Sequence, residues 1–207
     1  MGSQPAVCFD LGGVLLRINH TWEEAARAAG VAIRPGDTPR PLNDSMALLR
    51  YQASELSEDE YASELAEWLG VTPSEAERLH MAIIGCEYPG AFELIHRLKS
   101  AAIWTGCLSN TNALHWRILG DPEACKAIGS LDAKLASHEI GLAKPDPAAY
   151  LKVQELLPPG TRIVFFEDTL ENVYAAASMG WEVFRIDPHD GPVRQMDEIL
   201  GKLGVVA

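Results

Sequence analysis

The chain has 207 residues, 47 % of them apolar, which suits one domain or a core domain with a smaller insert and is too apolar for a disordered chain. Lys and Arg number 17 against 29 Asp and Glu, a formal charge of −12. So acidic a surface repels a phosphate backbone, which argues against nucleic acid as a partner, and leaves any phosphate-handling site in need of a local cation or a metal.

The first element is a short buried-type strand, Ala6-Val7-Cys8-Phe9, ending at Asp10 and followed by Leu11-Gly12-Gly13-Val14-Leu15. From about 18 to 88 the pattern is helical, with no convincing strand. Thr21-Trp22-Glu23-Glu24 is a candidate helix start and Pro35 to Pro41 a loop. Ser57-Glu58-Asp59-Glu60 is a capping box ahead of Tyr61, Leu65, Trp68 and Leu69, and Thr72-Pro73-Ser74-Glu75 is a second one with Pro in the first turn. Tyr88-Pro89-Gly90 reads as a return hinge. Phe92, Ile95 and Leu98, with Leu94 beside them, then mark a helix.

A second strand runs from Ala102 to Leu108 and ends at Ser109, and a weaker one covers Leu131 to Ala136. Ala148, Tyr150, Leu151 and Val153 give a less clean helix. Ile163 to Phe166 is a strand ending at Glu167-Asp168. Val173, Ala176 and Ala177 mark a helix stopped at Gly180, and Glu182 to Ile186 is a last strand ending at Asp187. This alternation predicts an α/β fold: a doubly wound, Rossmann-like, three-layer parallel sheet core with an inserted all-helical cap. The core is read as residues 1–17 and 89–207 and the cap as 18–88; surface helices unrelated to any site are the plain alternative for the insert. No apolar stretch of about 18 residues occurs, so no membrane partner is expected. The start, Met1-Gly2-Ser3-Gln4-Pro5, has no secretory pattern, and Ala6 breaks the myristoylation pattern. Cys8, Cys86, Cys107 and Cys125 show no metal-ligand spacing, and a reduced, cytoplasmic setting is expected.

In such sheets ligands gather at the carboxyl ends of the strands, where Asp10, Ser109, Glu167 and Asp168 all fall. A carboxylate there can ligate a hard cation or attack phosphorus, and it can also simply cap a turn. The pair Gly12-Gly13 lets the backbone turn sharply and approach a ligand closely. Ser109-Asn110-Thr111-Asn112 offers a hydroxyl and backbone N–H groups to an anion; capping the next helix is the alternative. Pro145 holds Lys144 extended, as a fixed point charge able to neutralise a phosphate, or as an ordinary surface lysine. Adjacent Glu167 and Asp168 at a buried strand end repel each other unless a divalent cation relieves them.

Taken in order, these features resemble the haloacid dehalogenase superfamily over essentially the whole chain. Phe9-Asp10-Leu11-Gly12-Gly13-Val14 resembles its first motif, Leu108-Ser109-Asn110-Thr111 its second, Lys144-Pro145-Asp146 its third, and Phe166-Glu167-Asp168 with Asn172 its fourth. Phe-Asp-Leu-Gly together with Ser-Asn-Thr-Asn resembles a branch that contains bacterial sugar-phosphate (glucose 1-phosphate) phosphatases. The resemblance implies a phosphatase in which Asp10 becomes transiently phosphorylated. It implies Mg²⁺ held by Asp10, the Gly12 carbonyl and Asp168 with help from Glu167, and phosphoryl oxygens bound by Ser109 and Lys144. Gly12, Gly13, Asn110, Thr111, Asn112, His20 and Arg50 are the expected substrate contacts, with Trp22, Tyr51, His115 and Trp116 as further candidates around the cavity. The expected partner is a small phosphorylated metabolite.

One departure matters. Most phosphatases of this superfamily carry a second Asp two residues after the nucleophile, as acid and base; here the position is Gly12. Such help is worth roughly 10²–10⁴-fold. His20, Arg17 or water could supply the proton, or a good leaving group such as a sugar 1-phosphate could do without it. The alternatives are a catalytically silent phosphate-ligand binder and a 2-haloacid dehalogenase; the presence of Glu167 and Asp168 argues against the dehalogenase.

Overall fold

The computed structural model describes residues 4–52 and 55–205. In chain order it contains β1 (Ala6–Phe9), β2 (Leu16–Ile18), α1 (Trp22–Ala29), a 3₁₀ turn (Leu42–Asp44), α2 (Met46–Gln52), α3 (Glu58–Leu69), α4 (Pro73–Met81) and β3 (Ile84–Glu87). There follow α5 (Ala91–Ser100), β4 (Thr105–Ser109), α6 (Ala113–Leu119), α7 (Lys126–Gly129), β5 (Ala133–Ala136), α8 (Ser137–Ile140), α9 (Pro147–Gln154), β6 (Ile163–Glu167), α10 (Leu170–Ser178), β7 (Glu182–Arg185) and α11 (Pro192–Lys202). The chain divides into a unit of Met1–Arg17 with Cys86–Ala207 and a unit of Ile18–Gly85.

The larger unit is a five-stranded parallel sheet of order β5-β4-β1-β6-β7, flanked by helices. The chain runs outward from β1 through β4 to β5, then returns to the other side of β1 for β6 and β7. The order therefore reverses at β1, which puts a crevice at its carboxyl end. Strand side chains alternate between faces. Ala6, Cys8, Leu108 and Phe165 join a core with Tyr150 and Val153 of α9 and Ala176 of α10. Tyr150, Phe165 and Trp181 meet edge to face at 5.4–6.3 Å. On the opposite face Phe9 stacks on Phe166 at 5.7 Å. Every residue of β1 and β6 is buried, which is why each reads as an unbroken apolar run.

The smaller unit is built on three capping boxes, at Thr21/Glu24, Ser57/Glu60 and Thr72/Glu75, each with both reciprocal bonds present. Trp22 is fully buried and meets Trp68 edge-on at 6.2 Å, and Arg40 lies over Trp68. Tyr61 stacks on Tyr51 at 4.5 Å, and its hydroxyl bonds His80 Nδ1 at 2.7 Å. Trp22 and Tyr51, expected around the cavity, are thus part of this unit's own core.

Three expectations are corrected. The stretch 18–88 does contain a strand: Ile84–Glu87 pairs with β2 in a two-stranded sheet where the chain passes between units. It carries no apolar run and its residues are partly or fully exposed, so periodicity has nothing to register. The buried face of α5 is Ala91, Leu94, Ile95 and Leu98, spaced i, i+3, i+4, i+7, while Phe92 is exposed at 38 %. In α10 the buried pair is Asn172 and Ala176, and Ala177 faces solvent.

Candidate active site

β1 delivers Asp10 to the crevice, and its N–H donates to the Phe166 carbonyl of β6 at 2.8 Å. The chain then folds back on itself: Leu15 and Leu16 N–H both donate to the Leu11 carbonyl, and Gly13 N–H donates to Leu16. Gly13 has φ +74°, and a Cβ placed there would lie 2.6 Å from Asp168 Oδ2. Only glycine allows both that backbone and that approach. Gly13 therefore makes room for the carboxylate of Asp168.

Lys144 lies at the centre. It is 4 % exposed, and its ammonium donates to Asp10 Oδ1 at 2.6 Å and to Glu167 Oε2 at 2.7 Å. It also sits 5.5 Å from the centroid of the Phe165 ring. Asp146 caps α9 through a bond from Ala148 N–H and Pro147 opens the helix, so the loop that carries Lys144 stops just short of it; the Lys144–Pro145 peptide is cis. Glu167 is fully buried, and its second oxygen accepts the Thr169 N–H at 3.0 Å. Asp168 is partly exposed and accepts from the Thr169 hydroxyl. Oxygens of Asp10, Glu167 and Asp168 lie within 4.8 Å of one another.

Ser109, at the end of β4, is 5 % exposed. The residues after it are engaged elsewhere. The Asn110 side chain bonds the main chain of Lys144 in both directions, at 2.7 and 2.8 Å. Thr111 exchanges two main-chain bonds of 2.9 Å with the Ser137 hydroxyl. Asn112 caps α6 by accepting from His115 N–H at 3.0 Å. Trp116 meets His138 edge-on at 6.2 Å. Of the two substrate contacts expected on the helical unit, His20 is exposed with its N–H on Glu24, and Arg50 pairs with Glu64 at 2.8 Å. Sequence reasoning did not single out Ser137, Thr169 or Tyr150. The first two act through single local bonds, which leave no pattern in a sequence. Tyr150 entered only as part of a helical pattern, yet its hydroxyl donates to the Asn172 carbonyl at 3.1 Å.

Burial pushes Asp10 up to about 7, with Glu167 adding to the rise and Lys144 opposing it. Asp168 rises to about 6 through burial and its contact with Glu167. Burial alone would lower Lys144, but Asp10 and Glu167 outweigh it and keep the ammonium charged. A carboxyl raised in the folded state binds a proton there that the unfolded chain, near its ordinary value of 3.8, releases. Between those values stability falls as pH rises. In metal-free protein, melting temperature is expected to drop further between about pH 5.5 and pH 8 in the wild type than in Asp10→Asn. Equal drops, measured by scanning calorimetry, would remove Asp10 from this account. The thiols of Cys8 and Cys107 are buried and pushed up by burial, which leaves them inert.

The sheet topology thus sets a cluster of carboxylates at the point where the strand order of a Rossmann-like core reverses. Residues 5–180 match the haloacid dehalogenase-like hydrolase family, and the chain belongs to that family. It is 29 % identical to Phosphatase MT3486 of Mycobacterium tuberculosis (strain CDC 1551 / Oshkosh), over 94 % of each chain. Its fold is similar to that of a predicted HAD-like family hydrolase from Porphyromonas gingivalis, with TM-score 0.74 and 22 % identity, covering 95 % of this chain and 98 % of the other. It is also similar to an Asp-to-Ala variant of a HAD family enzyme, BT-2542 of Bacteroides thetaiotaomicron, crystallised with magnesium and inorganic phosphate. That match has TM-score 0.71 and 18 % identity, covering 91 % and 96 % of the two chains. Among the described residues no helix is long and apolar enough to cross a membrane.

Proposed function

We propose that the protein is a Mg²⁺-dependent phosphomonoesterase that hydrolyses a small phosphorylated metabolite, of the sugar-phosphate class, through an aspartyl phosphate on Asp10. The observation that carries this reading is the Lys144 ammonium shared between Asp10 and Glu167, with Asp168 alongside. Three carboxylates against one ammonium leave an excess of negative charge in a largely buried place. An all-oxygen donor set of that charge fits a hard divalent cation. Asp10, Asp168 and the Gly12 carbonyl would hold it. Glu167, with one oxygen on Lys144 and the other on a backbone N–H, serves chiefly to hold the lysine. Bound there, Mg²⁺ offsets the charge that a phosphate dianion brings among the acids.

In this reading Asp10 attacks phosphorus in line and water later cleaves the acyl phosphate. Lys144 and the hydroxyl of Ser109 take the equatorial oxygens as charge builds on them. Gly12 offers no acid for the leaving group, which favours substrates whose alcohol leaves readily, such as a sugar 1-phosphate. The relative named as a phosphatase supports the reaction class. Gly12 also supports a second reading, a phosphate-ligand binder that does not turn over.

Hydrolysis of an aryl phosphate by purified protein separates the two. Turnover is expected with Mg²⁺, and chelation followed by dialysis should lower it at least about a hundredfold. Turnover that survives metal removal intact would sink the Mg²⁺ reading. Absence of turnover on aryl and sugar phosphates alike would favour the binder.

A further inference from the structure

We infer that Asn110 is a positioning residue for Lys144, and that with Ser137 it sets where the lysine meets a phosphoryl group. The expected role for Asn110, a direct substrate contact, does not match the bonds it makes. Its amide nitrogen donates to the Lys144 carbonyl at 2.7 Å, and its amide oxygen accepts from the Lys144 N–H at 2.8 Å. One planar amide therefore satisfies both main-chain groups of Lys144, as a neighbouring strand would. A residue further on, Thr111 N–H donates to Ser137 Oγ, and that hydroxyl returns a bond to the Thr111 carbonyl, both at 2.9 Å. Four bonds thus join the loop after β4 to the segment between β5 and α9.

The consequence is geometric. Ser109 ends β4, and Lys144 lies one strand and three helices later, on the loop between α8 and α9. Both groups must converge on the same phosphoryl oxygens. Asn110 is adjacent to Ser109 in the chain and grips Lys144, so it transmits the position of one to the other. Asparagine suits this work because its amide offers a donor and an acceptor in one plane; aspartate lacks the donor and serine the span. Ser137 plays the matching part for Thr111 with a hydroxyl that donates and accepts at once. This inference rests on the proposed phosphate-handling role of the site, but not on turnover.

The test is calorimetric binding of inorganic phosphate, with Mg²⁺ present, to wild type, Asn110→Ala, Lys144→Met and the double variant. Asn110→Ala is expected to weaken phosphate binding about tenfold in the wild-type background and to add nothing in Lys144→Met, the signature of two residues acting as one unit. An equal loss in both backgrounds would mean that Asn110 touches phosphate itself, and would overturn the inference. So would an Asn110→Ala variant that binds phosphate like wild type. If the Lys144 variants do not fold, the crystal structure of Asn110→Ala decides: Lys144 Nζ still within hydrogen-bond reach of both Asp10 and Glu167 overturns it. A protein that shows this coupling in phosphate binding but hydrolyses no monoester refutes the phosphatase reading and leaves the clamp standing.

Discussion

Asp10→Asn is expected to lower Mg²⁺-dependent hydrolysis of an aryl phosphate by about 10³- to 10⁶-fold, because it removes the proposed nucleophile while keeping its shape. The same substitution should not weaken the fold. Asp10 is 8 % exposed, and its burial makes ionisation costly. An amide keeps an oxygen able to accept from Lys144 and sheds the buried charge. Metal-free Asp10→Asn should therefore melt no lower than wild type at about pH 8, where the wild-type carboxyl, at about 7, is mostly ionised. Steady-state kinetics and calorimetry on the same preparation check both halves. Activity within tenfold of wild type would end the covalent mechanism, whatever the melting curve shows.

Lys144→Met should match that loss of activity and oppose it in stability. Glu167 is fully buried with Lys144 as its cationic partner, and Asp10 shares the same ammonium. Methionine fills much of the volume but leaves two carboxylates without a counter-charge. Breaking a buried pair from one side costs about 3–5 kcal/mol. In a chain of this size that lowers the melting temperature by roughly 6–20 °C. The deficit should shrink as pH falls, because carboxylates without the lysine are raised further and bind protons in the folded state. Mg²⁺ should also recover part of it by taking over the charge balance. A Lys144→Met protein as stable as wild type at pH 8 without metal would show that the lysine is not the cluster's counter-ion.

The two variants together separate chemistry from architecture. Both break the proposed reaction, but one removes a charge that burial disfavours and the other removes the charge that makes burial tolerable. Surface ion pairs such as Arg194 with Asp190 and Glu198 carry no comparable weight, since water screens them.

Much of the site was legible because its residues stand at strand ends. Asp10, Ser109 and Glu167 each follow or close an apolar run of buried β type, and a parallel sheet brings such ends to one edge. Lys144 was legible through Pro145, which keeps it out of a helix. The capping boxes at Ser57 and Thr72 were likewise visible, since a helix start is a local event four residues long. The strand Ile84–Glu87 was not, because its partner β2 lies far away in the chain and its own composition is mixed. Phe92 misled for a related reason: hydrophobicity marks a candidate for burial, while the packed face is chosen by the sheet that α5 lies against.

By itself, then, the sequence determined which short segments become strands, where helices begin, and that acids and a lysine stand on one edge of the sheet, because propensity, capping and periodicity act over a few neighbouring residues. Only the tertiary structure decided which of those groups touch. Lys144 meets Asp10 across 134 residues and Glu167 across 23, and Asn110 grips Lys144 across 34. Such pairings arise from strand order and burial, which force distant charges to balance one another once water is excluded, and no local pattern encodes them.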